Sequence, residues 1–456
     1  MLDAFFKLRE RDTTVGTEVL AGLTTFMVMA YIIFVNPAIL SFAGVTALQG
    51  QGVPFVPTIA ATCLVAALTT AAMGLLTNYP LALASGMGLN AVVAFQLIAA
   101  YKLPWPAAMG VIFLEGAAIT VLVLTGFREA VMSAIPLSQK RAISVGIGLF
   151  ILFIGLFNGG LVKSGAGIPV TLGDLTTRRV GVAIVGLFLT LLLLALRIRS
   201  ALLLGIVGTT LLAIVANAVG GWQTWESLPG VAVIPGRILG WPDFSTIGLG
   251  LNFEVFARLG IVTAVLTIFS IMLSDFFDTM GTVIGIGAEA GWLDRDGRLP
   301  RLNRVLLVDS LAAVLGGACS ASSATTYIES AAGVAAGGRT GLTSVVVGIC
   351  FALALFLTPL AGIVPPEATA ATLVIVGYLM CTLVREIPFA DLEDGLPALL
   401  TMTVMPFSYS ITNGIGAGFV AYTFIKLVRG KAGEVHPMMY AAAAAFVIYF
   451  VRPAGG

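Results

Sequence analysis

The chain has 456 residues, of which 58% are hydrophobic and 10% are charged, and its mean hydropathy is +1.03. These values lie far outside the range of soluble domains and predict a polytopic membrane protein. The formal net charge of +1 provides no basic field to attract phosphates, which argues against nucleic acid as a partner.

Cysteine and histidine usage points away from metal sites and disulfides. Cys63, Cys319, Cys350 and Cys381 lie in apolar segments without a C-x-x-C pair, so they are interpreted as small core residues. The only histidine, His436, lies near the C-terminus, outside the central segments. We therefore predict no metal and no cofactor.

Apolar segments long enough to cross a bilayer as helices follow one another along the chain. In the first half, spans are predicted at 17–40, 55–77, 81–100, 105–126, 142–157, 180–196 and 201–219. A polar loop at 220–243 separates this half from the second. There, spans are predicted at 259–286, 305–317, 316–341, 342–360, 368–384, 396–411 and 415–428. A last apolar piece, 438–451, has no predicted place.

Basic residues predict the orientation of these spans. Under the positive-inside rule, five clusters should be cytoplasmic. They are Lys7/Arg9/Arg11, Arg128/Lys140/Arg141, Arg197/Arg199, Arg295/Arg298/Arg301/Arg304 and Lys426/Arg429/Lys431. All five agree with a cytoplasmic N-terminus and a cytoplasmic end of span 14, whereas Lys163, Arg178 and Arg179 fall on the outer side. Two seven-span halves would then have opposite orientations, which is the geometry of an inverted repeat.

Two spans contain glycine-rich polar interruptions. The stretch 316–341, GGACSASSATTYIESAAGVAAGGRTG, holds a single carboxylate, Glu329, among hydroxyl residues that include Thr326. In span 3, the sequence ASGMGLNA at 84–91 is a second such break. Interrupted spans expose backbone N–H groups that many transporters use to hold polar cargo. The alternative is a small-residue packing face between helices.

Carboxylates in the predicted membrane core are the leading site candidates. Glu329 and Asp278 form the main pair, and Asp275 lies one helical turn from Asp278 on a neighbouring position. Desolvation and mutual repulsion favour a protonated carboxyl, which suggests proton coupling. The alternative is a permanently protonated carboxyl that bonds to a backbone carbonyl. Three further acids are weaker candidates because their segments lack glycine-rich breaks: Glu115, Glu289 and Asp309.

Neutral side chains complete the candidate site. Asn90 offers a donor and an acceptor that suit a planar heterocycle, and a helix-packing hydrogen bond is the alternative. Stacking or hydroxyl contacts are expected from Thr25, Phe26, Tyr31 and Tyr327, which packing alone would also explain.

At these motifs the sequence resembles the azaguanine-resistance-like branch of the nucleobase/cation symporters, purine permeases with the uracil-transporter fold. The resemblance covers essentially the whole chain. It rests on TTFMVMAYIIFVNP at 24–37, GMGLNA at 86–91, FFDTMGT at 276–282, TTYIESAAGV at 325–334 and GGRTGLT at 337–343.

The resemblance implies fourteen spans in a seven-plus-seven inverted repeat, with short antiparallel strands breaking spans 3 and 10 and purine bound between them. It implies a core domain at 1–126 and 259–361, a gate domain at 140–220 and 366–430 that mediates a homodimer, a linker at 221–258 and a C-terminal segment at 431–456. By motif, Asp278, Glu329 and Asn90 match substrate-site positions, and Thr282 stands where uracil transporters have histidine. Val92 and Val93 replace the aromatic residue that often follows GMGLNA, which leaves the substrate preference open.

The leading hypothesis is therefore a cell-membrane symporter for purine nucleobases and protons that works by alternating access, with sodium left open as the coupling ion. An anion transporter of the same fold is one alternative, although two site carboxylates would repel anions. An intramembrane aspartyl protease is another, although neither its Tyr-Asp nor its Gly-x-Gly-Asp motif surrounds Asp275 or Asp278.

Overall fold

The computed structural model describes residues 2–43, 45–126, 134–165, 167–220, 232–234, 236–248, 251–294 and 299–451. Within these ranges, ten helices are long and apolar enough to cross a membrane, and shorter apolar helices and a few short strands accompany them. The predicted α-helical polytopic fold is confirmed, while the count of fourteen spans stays a prediction. Of the predicted cytoplasmic cluster residues, Arg128, Arg295 and Arg298 lie outside the described residues, as do parts of the linker and the last five residues.

The first half of the chain consists of helices with three short strands between them. Its elements are α1 (Leu2–Phe6), α2 (Val15–Met29), α3 (Ile32–Leu40), α4 (Phe55–Thr77), β1 (Leu83–Ser85), α5 (Met87–Ala91), α6 (Trp105–Thr125), α7 (Leu137–Asn158), β2 (Val162–Lys163), β3 (Thr171–Leu172), α8 (Arg178–Ala195) and α9 (Ala201–Gly220). Helix α5 continues as a wider π-helical segment, Val92–Ala100.

The second half contributes one more strand. Its elements are α10 (Val255–Leu259), α11 (Ile261–Glu289), α12 (Leu302–Ala318), β4 (Ala324–Thr326), α13 (Ser330–Ala335), α14 (Gly341–Ala354), α15 (Thr358–Ala361), α16 (Pro366–Cys381), α17 (Leu392–Ser408), α18 (Ile411–Val428) and α19 (Pro437–Val451).

Two predicted spans differ from the structure for local backbone reasons. Span 1 is interrupted at Ala30 and Tyr31, where the hydrogen bonds tighten to i→i−3 spacing, with the Ile33 N–H donating to Ala30 O at 3.1 Å. Span 13, predicted to reach residue 411, ends at Ser408 because Tyr409 adopts a left-handed conformation with φ 51°. The Ser410 side chain then caps the next helix, α18.

Strands β1 and β4 replace the middle of spans 3 and 10. They pair antiparallel, with Leu83 opposite Thr326 and Ser85 opposite Ala324. The Gly86 N–H extends this pairing by donating to Ser323 O at 2.8 Å. Both strands are buried, and non-helical backbone at membrane depth must find its hydrogen bonds inside the protein. The backbone groups in the two breaks therefore form hydrogen bonds with each other, and a helix starts shortly after each strand.

Glycines bring the helix backbones close together. Gly74 of α4 packs directly on the backbone of Gly341 at the start of α14, and a Cβ at either glycine would collide with the other segment. Helices α7 and α16 approach each other in the same way through Gly148 and Gly377. Such small-residue contacts are typical of helix interfaces in membranes, where dispersion rather than the hydrophobic effect holds helices together.

The C-terminal helix α19, which the sequence left without a place, packs against α18. Phe446 meets Phe419 edge to face, with ring centroids 6.0 Å apart. The Tyr449 hydroxyl lies 2.8 Å from that of Tyr101 and donates to Asn413 Oδ1 at 2.8 Å. The helix is thereby connected to the end of span 3 as well as to span 14.

Candidate functional site

A cavity of about 100 Å³ lies where β1 and β4 give way to helices. The cavity is lined by residues from six parts of the chain. They are Tyr31 between α2 and α3, residues 86–89 at the start of α5, Ser274, Asp278 and Thr282 of α11, residues 325–329 around β4, and Ile147, Val376 and Met380 of α7 and α16. Predicted site residues Asp278, Thr282, Thr326, Tyr327 and Glu329 thus share one cavity.

Glu329 is the residue just before α13, and it faces the cavity. The Tyr31 hydroxyl, presented by the break in span 1, donates a hydrogen bond to Glu329 Oε1. Asp278 lines the same cavity and is close enough to Glu329 for electrostatic interaction. Among the described residues, neither carboxylate forms an ion pair. The cavity therefore offers two acceptors without a resident cation.

Asp275 and Asp278 lie in different surroundings although they are one turn apart. Ser274, Asp278 and Thr282 are spaced four residues apart and form the cavity-facing stripe of α11. Asp275 is fully buried and does not line the cavity, and the Ser323 hydroxyl donates to its Oδ2 at 3.3 Å. The predicted proton-coupling residue Asp275 is thus placed behind the cavity wall.

A second group of acids lies behind β4 and combines the predicted proton-coupling residue Asp275 with two of the weaker candidates, Glu115 and Asp309. Glu115 of α6 and Asp275 of α11 are fully buried and adjacent, with Asp309 of α12 nearby. No intrasegment spacing could reveal this group, because packing of α6, α11 and α12 brings the three together. The available signal was the presence of carboxylates inside apolar spans, with or without glycines around them.

Asp309 holds strand β4 in place. Its Oδ1 accepts from the Thr326 N–H at 2.9 Å and from the Thr326 hydroxyl at 2.7 Å. Its Oδ2 accepts from the Thr279 hydroxyl at 2.7 Å, and that hydroxyl also lies 2.7 Å from the Thr325 hydroxyl. Since Thr325 and Thr326 line the cavity, Asp309 positions part of the cavity wall.

Three other predicted site residues do not line the cavity. Asn90 is fully buried in α5, and both polar atoms of its amide lack a hydrogen-bond partner among the residues that the structure describes. Thr25 is buried against Gly333 of α13. Phe26 packs edge to face on Phe351, with ring centroids 5.1 Å apart.

The cavity combines acceptors with donors. The first turn of α5 begins at Met87, and its first N–H groups have no acceptor within the helix, so they are available to a ligand. The Tyr327 hydroxyl donates its hydrogen bond to Ser85 O at the end of β1, so this donor is not available to a ligand. A compact, uncharged ligand with N–H donors and ring acceptors matches this wall better than an anion does.

Comparison with known proteins agrees with this geometry. The chain matches the family model described as the permease family (Xan_ur_permease) over residues 16–451. It is 41% identical over 452 residues to the adenine permease AdeP of Escherichia coli K12, covering 99% of this chain and 96% of that protein. It is 37% identical over 456 residues to the guanine/hypoxanthine permease PbuG of Bacillus subtilis, covering 99% of each.

Solved structures share the fold at low sequence identity. The transmembrane domain of the cyanobacterial bicarbonate transporter BicA superposes with a TM-score of 0.62 at 14% identity, over 88% of this chain and 96% of that one. Murine Slc26a9, an anion transporter in the inward-facing state, gives 0.65 at 14% identity, over 91% of this chain and 68% of that one. The architecture is thus the inverted-repeat fold of these transporters. The chain belongs to the permease family, that of the nucleobase/cation symporters, and is a transporter rather than an enzyme.

Proposed function

We propose that the protein carries purine nucleobases across the cell membrane together with protons. The observation that supports this most strongly is the cavity between the ends of β1 and β4, in which Glu329 and Asp278 face a shared space of about 100 Å³ and neither forms an ion pair with a described residue. AdeP is an adenine permease and PbuG is a guanine/hypoxanthine permease, and each aligns with 99% of this chain. Both relatives support purines as the substrate class.

The cavity has groups for both edges of a purine. Glu329 would accept ring or exocyclic N–H groups, held in place by the Tyr31 hydroxyl. The N–H groups at the start of α5 would donate to ring nitrogens or a carbonyl oxygen. Asn90, Thr25 and Phe26 would act indirectly, through the packing of α5 and α2.

Proton coupling follows from the two carboxylates. A purine N–H bonded to Glu329 favours its ionised form, whereas the negative charge of Asp278 beside it opposes that form. A proton on Asp278 would therefore strengthen purine binding, and purine would strengthen proton binding by the same factor. Asp275 would contribute through the acid group behind β4. Sodium remains the alternative coupling ion.

Alternating access would require relative movement of two bundles. The core domain, 1–126 and 259–361, carries both strands, while Ile147, Val376 and Met380 of the gate domain close one side of the cavity. We propose that the gate domain also forms the homodimer contact. The N-terminus and the end of α18 would be cytoplasmic. Arg179, which this orientation would place on the outer side, forms an ion pair with Glu367, and a neutralised arginine is weaker evidence for a cytoplasmic loop.

An anion substrate is the alternative that the fold would permit, because BicA and Slc26a9 share it. Their likeness at 14% identity concerns the fold alone. Two carboxylates in the cavity oppose an anion, so the site chemistry favours the neutral nucleobase.

Uptake by a Glu329→Gln variant tests the proposal. Loss of a charge-assisted hydrogen bond of about 1.5–3 kcal/mol should lower apparent purine affinity roughly 10- to 100-fold. The assay is uptake of labelled hypoxanthine, adenine and guanine by cells that lack their own purine permeases, with membrane expression measured in parallel. Glu254→Gln, an exposed acid paired with Arg258, is the matched control and should transport normally. Uptake by Glu329→Gln at the wild-type level, or competition by sulfate or bicarbonate instead of purines, would contradict the proposal.

A further inference from the structure

A second cavity, of about 430 Å³, lies beside the N-terminal segment and away from the Glu329 cavity. Four separate parts of the chain line it: the N-terminal segment, the turn after α4, the α11–α12 connection and the α13–α14 connection. The lining residues are Arg11, Tyr79, Trp292, Pro300, Arg301 and Arg339, and we call this cavity the arginine pocket. None of them lines the Glu329 cavity.

Three guanidinium groups converge on the arginine pocket, and backbone carbonyls hold two of them. Arg11 Nη1 donates to Arg339 O at 2.8 Å. Arg339 Nη1 donates to Val334 O at 2.7 Å and to Gly338 O at 2.8 Å. Arg301 is exposed at the rim. Within the described part of the chain none of the three forms an ion pair, so neutral carbonyls orient the guanidinium groups of Arg11 and Arg339.

The acids nearest to Arg11 have other partners. Glu10 pairs with Lys7 at 2.9 Å. Glu18 accepts from the Arg339 N–H at 2.9 Å and from the Thr343 hydroxyl at 2.6 Å, so its carboxylate serves the α13–α14 connection. Burial lowers the pKa of the Arg11 guanidinium, and the nearby Arg301 charge lowers it further, against opposing effects of Tyr79, Glu18 and Glu10. An anion in the pocket would relieve this repulsion.

Aromatic rings form the other wall of the arginine pocket. The Tyr79 and Trp292 rings lie with centroids 5.2 Å apart, at an interplanar angle of 46°. The Tyr79 hydroxyl donates to Pro300 O at 2.8 Å, which fixes its ring, and the Arg11 guanidinium lies 5.3 Å from the ring centroid. Tyrosine, tryptophan and arginine planes are the surfaces on which nucleobases stack.

We propose that the arginine pocket binds a phosphate monoester that carries a planar ring, the chemistry of a mononucleotide. The phosphate would contact the guanidiniums of Arg11, Arg301 and Arg339, whose planar donor groups match phosphate oxygens, and the ring would pack against Trp292 and Tyr79. A cavity of about 430 Å³ is too large for a phosphate ion to fill alone. An anionic lipid headgroup shares the phosphate chemistry but has no ring for the aromatic wall.

Occupancy would have a structural consequence for the neighbouring segments. The α11–α12 connection follows the helix that carries Asp278, and the α13–α14 connection follows the short helix after Glu329. A ligand that contacts Arg301 and Arg339 would hold these connections together. Such a ligand would therefore restrict relative movement at the ends of the elements that bear both cavity carboxylates.

Equilibrium binding to the purified, full-length protein tests the proposal independently of transport. Isothermal titration in a detergent without anionic lipid would use GMP as the probe, with guanosine and ribose 5-phosphate as probes that lack the phosphate or the base. GMP should bind at least about tenfold more tightly than either, because each lacks one of the two contacts. Reconstitution into nanodiscs with and without phosphatidylglycerol distinguishes a lipid headgroup from a free ligand.

Variants locate the binding site. Arg301→Gln should weaken GMP binding about tenfold or more, and Arg301→Lys should fall between it and the wild type, because lysine keeps the charge without the planar donor pair. Arg304→Gln is the matched control, because Arg304 is an exposed arginine in the first turn of α12 that does not line the pocket. Trp292→Ala should remove the preference for GMP over ribose 5-phosphate.

Several results would overturn the proposal. They are the absence of GMP binding, equal GMP affinity in Arg301→Gln and wild type, and loss of GMP binding in Glu329→Gln with retention in Arg301→Gln, which would place GMP in the other cavity. Displacement of GMP by phosphatidylglycerol at a similar affinity for GMP and ribose 5-phosphate would instead identify a lipid-headgroup site. Arg301 is exposed and its side chain makes no hydrogen bond among the described residues, so thermal unfolding of its variants should match that of the wild type.

Discussion

Replacing Asp309 with alanine should weaken purine binding although Asp309 does not line the cavity. The carboxylate accepts three hydrogen bonds, two from Thr326 and one from Thr279. The two hydroxyls can rotate towards other acceptors, but the Thr326 N–H is fixed by the strand and would lose its acceptor in a buried place. A buried donor left unsatisfied costs about 1–3 kcal/mol, and loss of the charged acceptor for two hydroxyls adds a similar amount.

These contributions sum to on the order of 3 kcal/mol, or about a hundred-fold in affinity if the whole loss falls on the position of β4. Asp309→Asn should lose less, about tenfold, because its amide oxygen can still accept from the Thr326 N–H. Labelled-purine binding to purified protein measures the effect, and thermal unfolding separates displacement of the strand from global unfolding.

Asp174→Ala is the matched control for Asp309→Ala. Asp174 also accepts from a threonine N–H and hydroxyl, those of Thr176 at 3.1 and 2.6 Å, but it lies in the exposed connection between β3 and α8. Its removal should leave purine affinity unchanged. Wild-type purine affinity in Asp309→Ala would refute the inference that Asp309 positions the cavity wall.

Three further changes probe coupling and packing. Asp278→Asn in proteoliposomes should keep purine exchange while abolishing accumulation driven by a pH gradient, and intact accumulation would assign the proton to another group. Gly74→Val should lower the unfolding temperature, since its side chain would meet the Gly341 backbone at a cost of about 1–3 kcal/mol, and an unchanged melting curve would contradict that packing. Tyr449→Phe should remove the hydroxyl contact with Tyr101 and destabilise by about 1–3 kcal/mol with uptake retained, and lost uptake would give α19 a direct role.

The sequence predicted the helices best where apolar runs end at strong turn signals. The second predicted span, 55–77, coincides with α4, which ends because Asn78 adopts a left-handed conformation. The breaks in spans 3 and 10 were visible in their glycines and polar residues. Their pairing as strands came from the resemblance alone, since nothing in either segment specifies which residue lies opposite which.

The site was harder to predict because one turn of helix separates two environments. Residues three apart on a helix project about 60° from each other, so the spacing predicts Asp275 and Asp278 on one face. The cavity meets only the narrow stripe of α11 that contains Asp278, whereas Asp275 is buried against Glu115 of α6 and Ser323, which precedes β4. Helical periodicity gives the angle between two side chains, but the tertiary packing decides what each of them meets.

Strand β4 explains how the two groups of acids can act on one ligand without touching each other. Thr325 and Thr326 line the cavity, and their hydroxyls lead through Thr279 or directly to Asp309 in the group behind the strand. Carboxylates accept these hydrogen bonds more strongly when ionised than when protonated. If a proton enters the group behind the strand, as proposed for coupling, it would weaken the hydrogen bonds that support β4, and the change would reach Glu329 through the few residues that separate it from the strand.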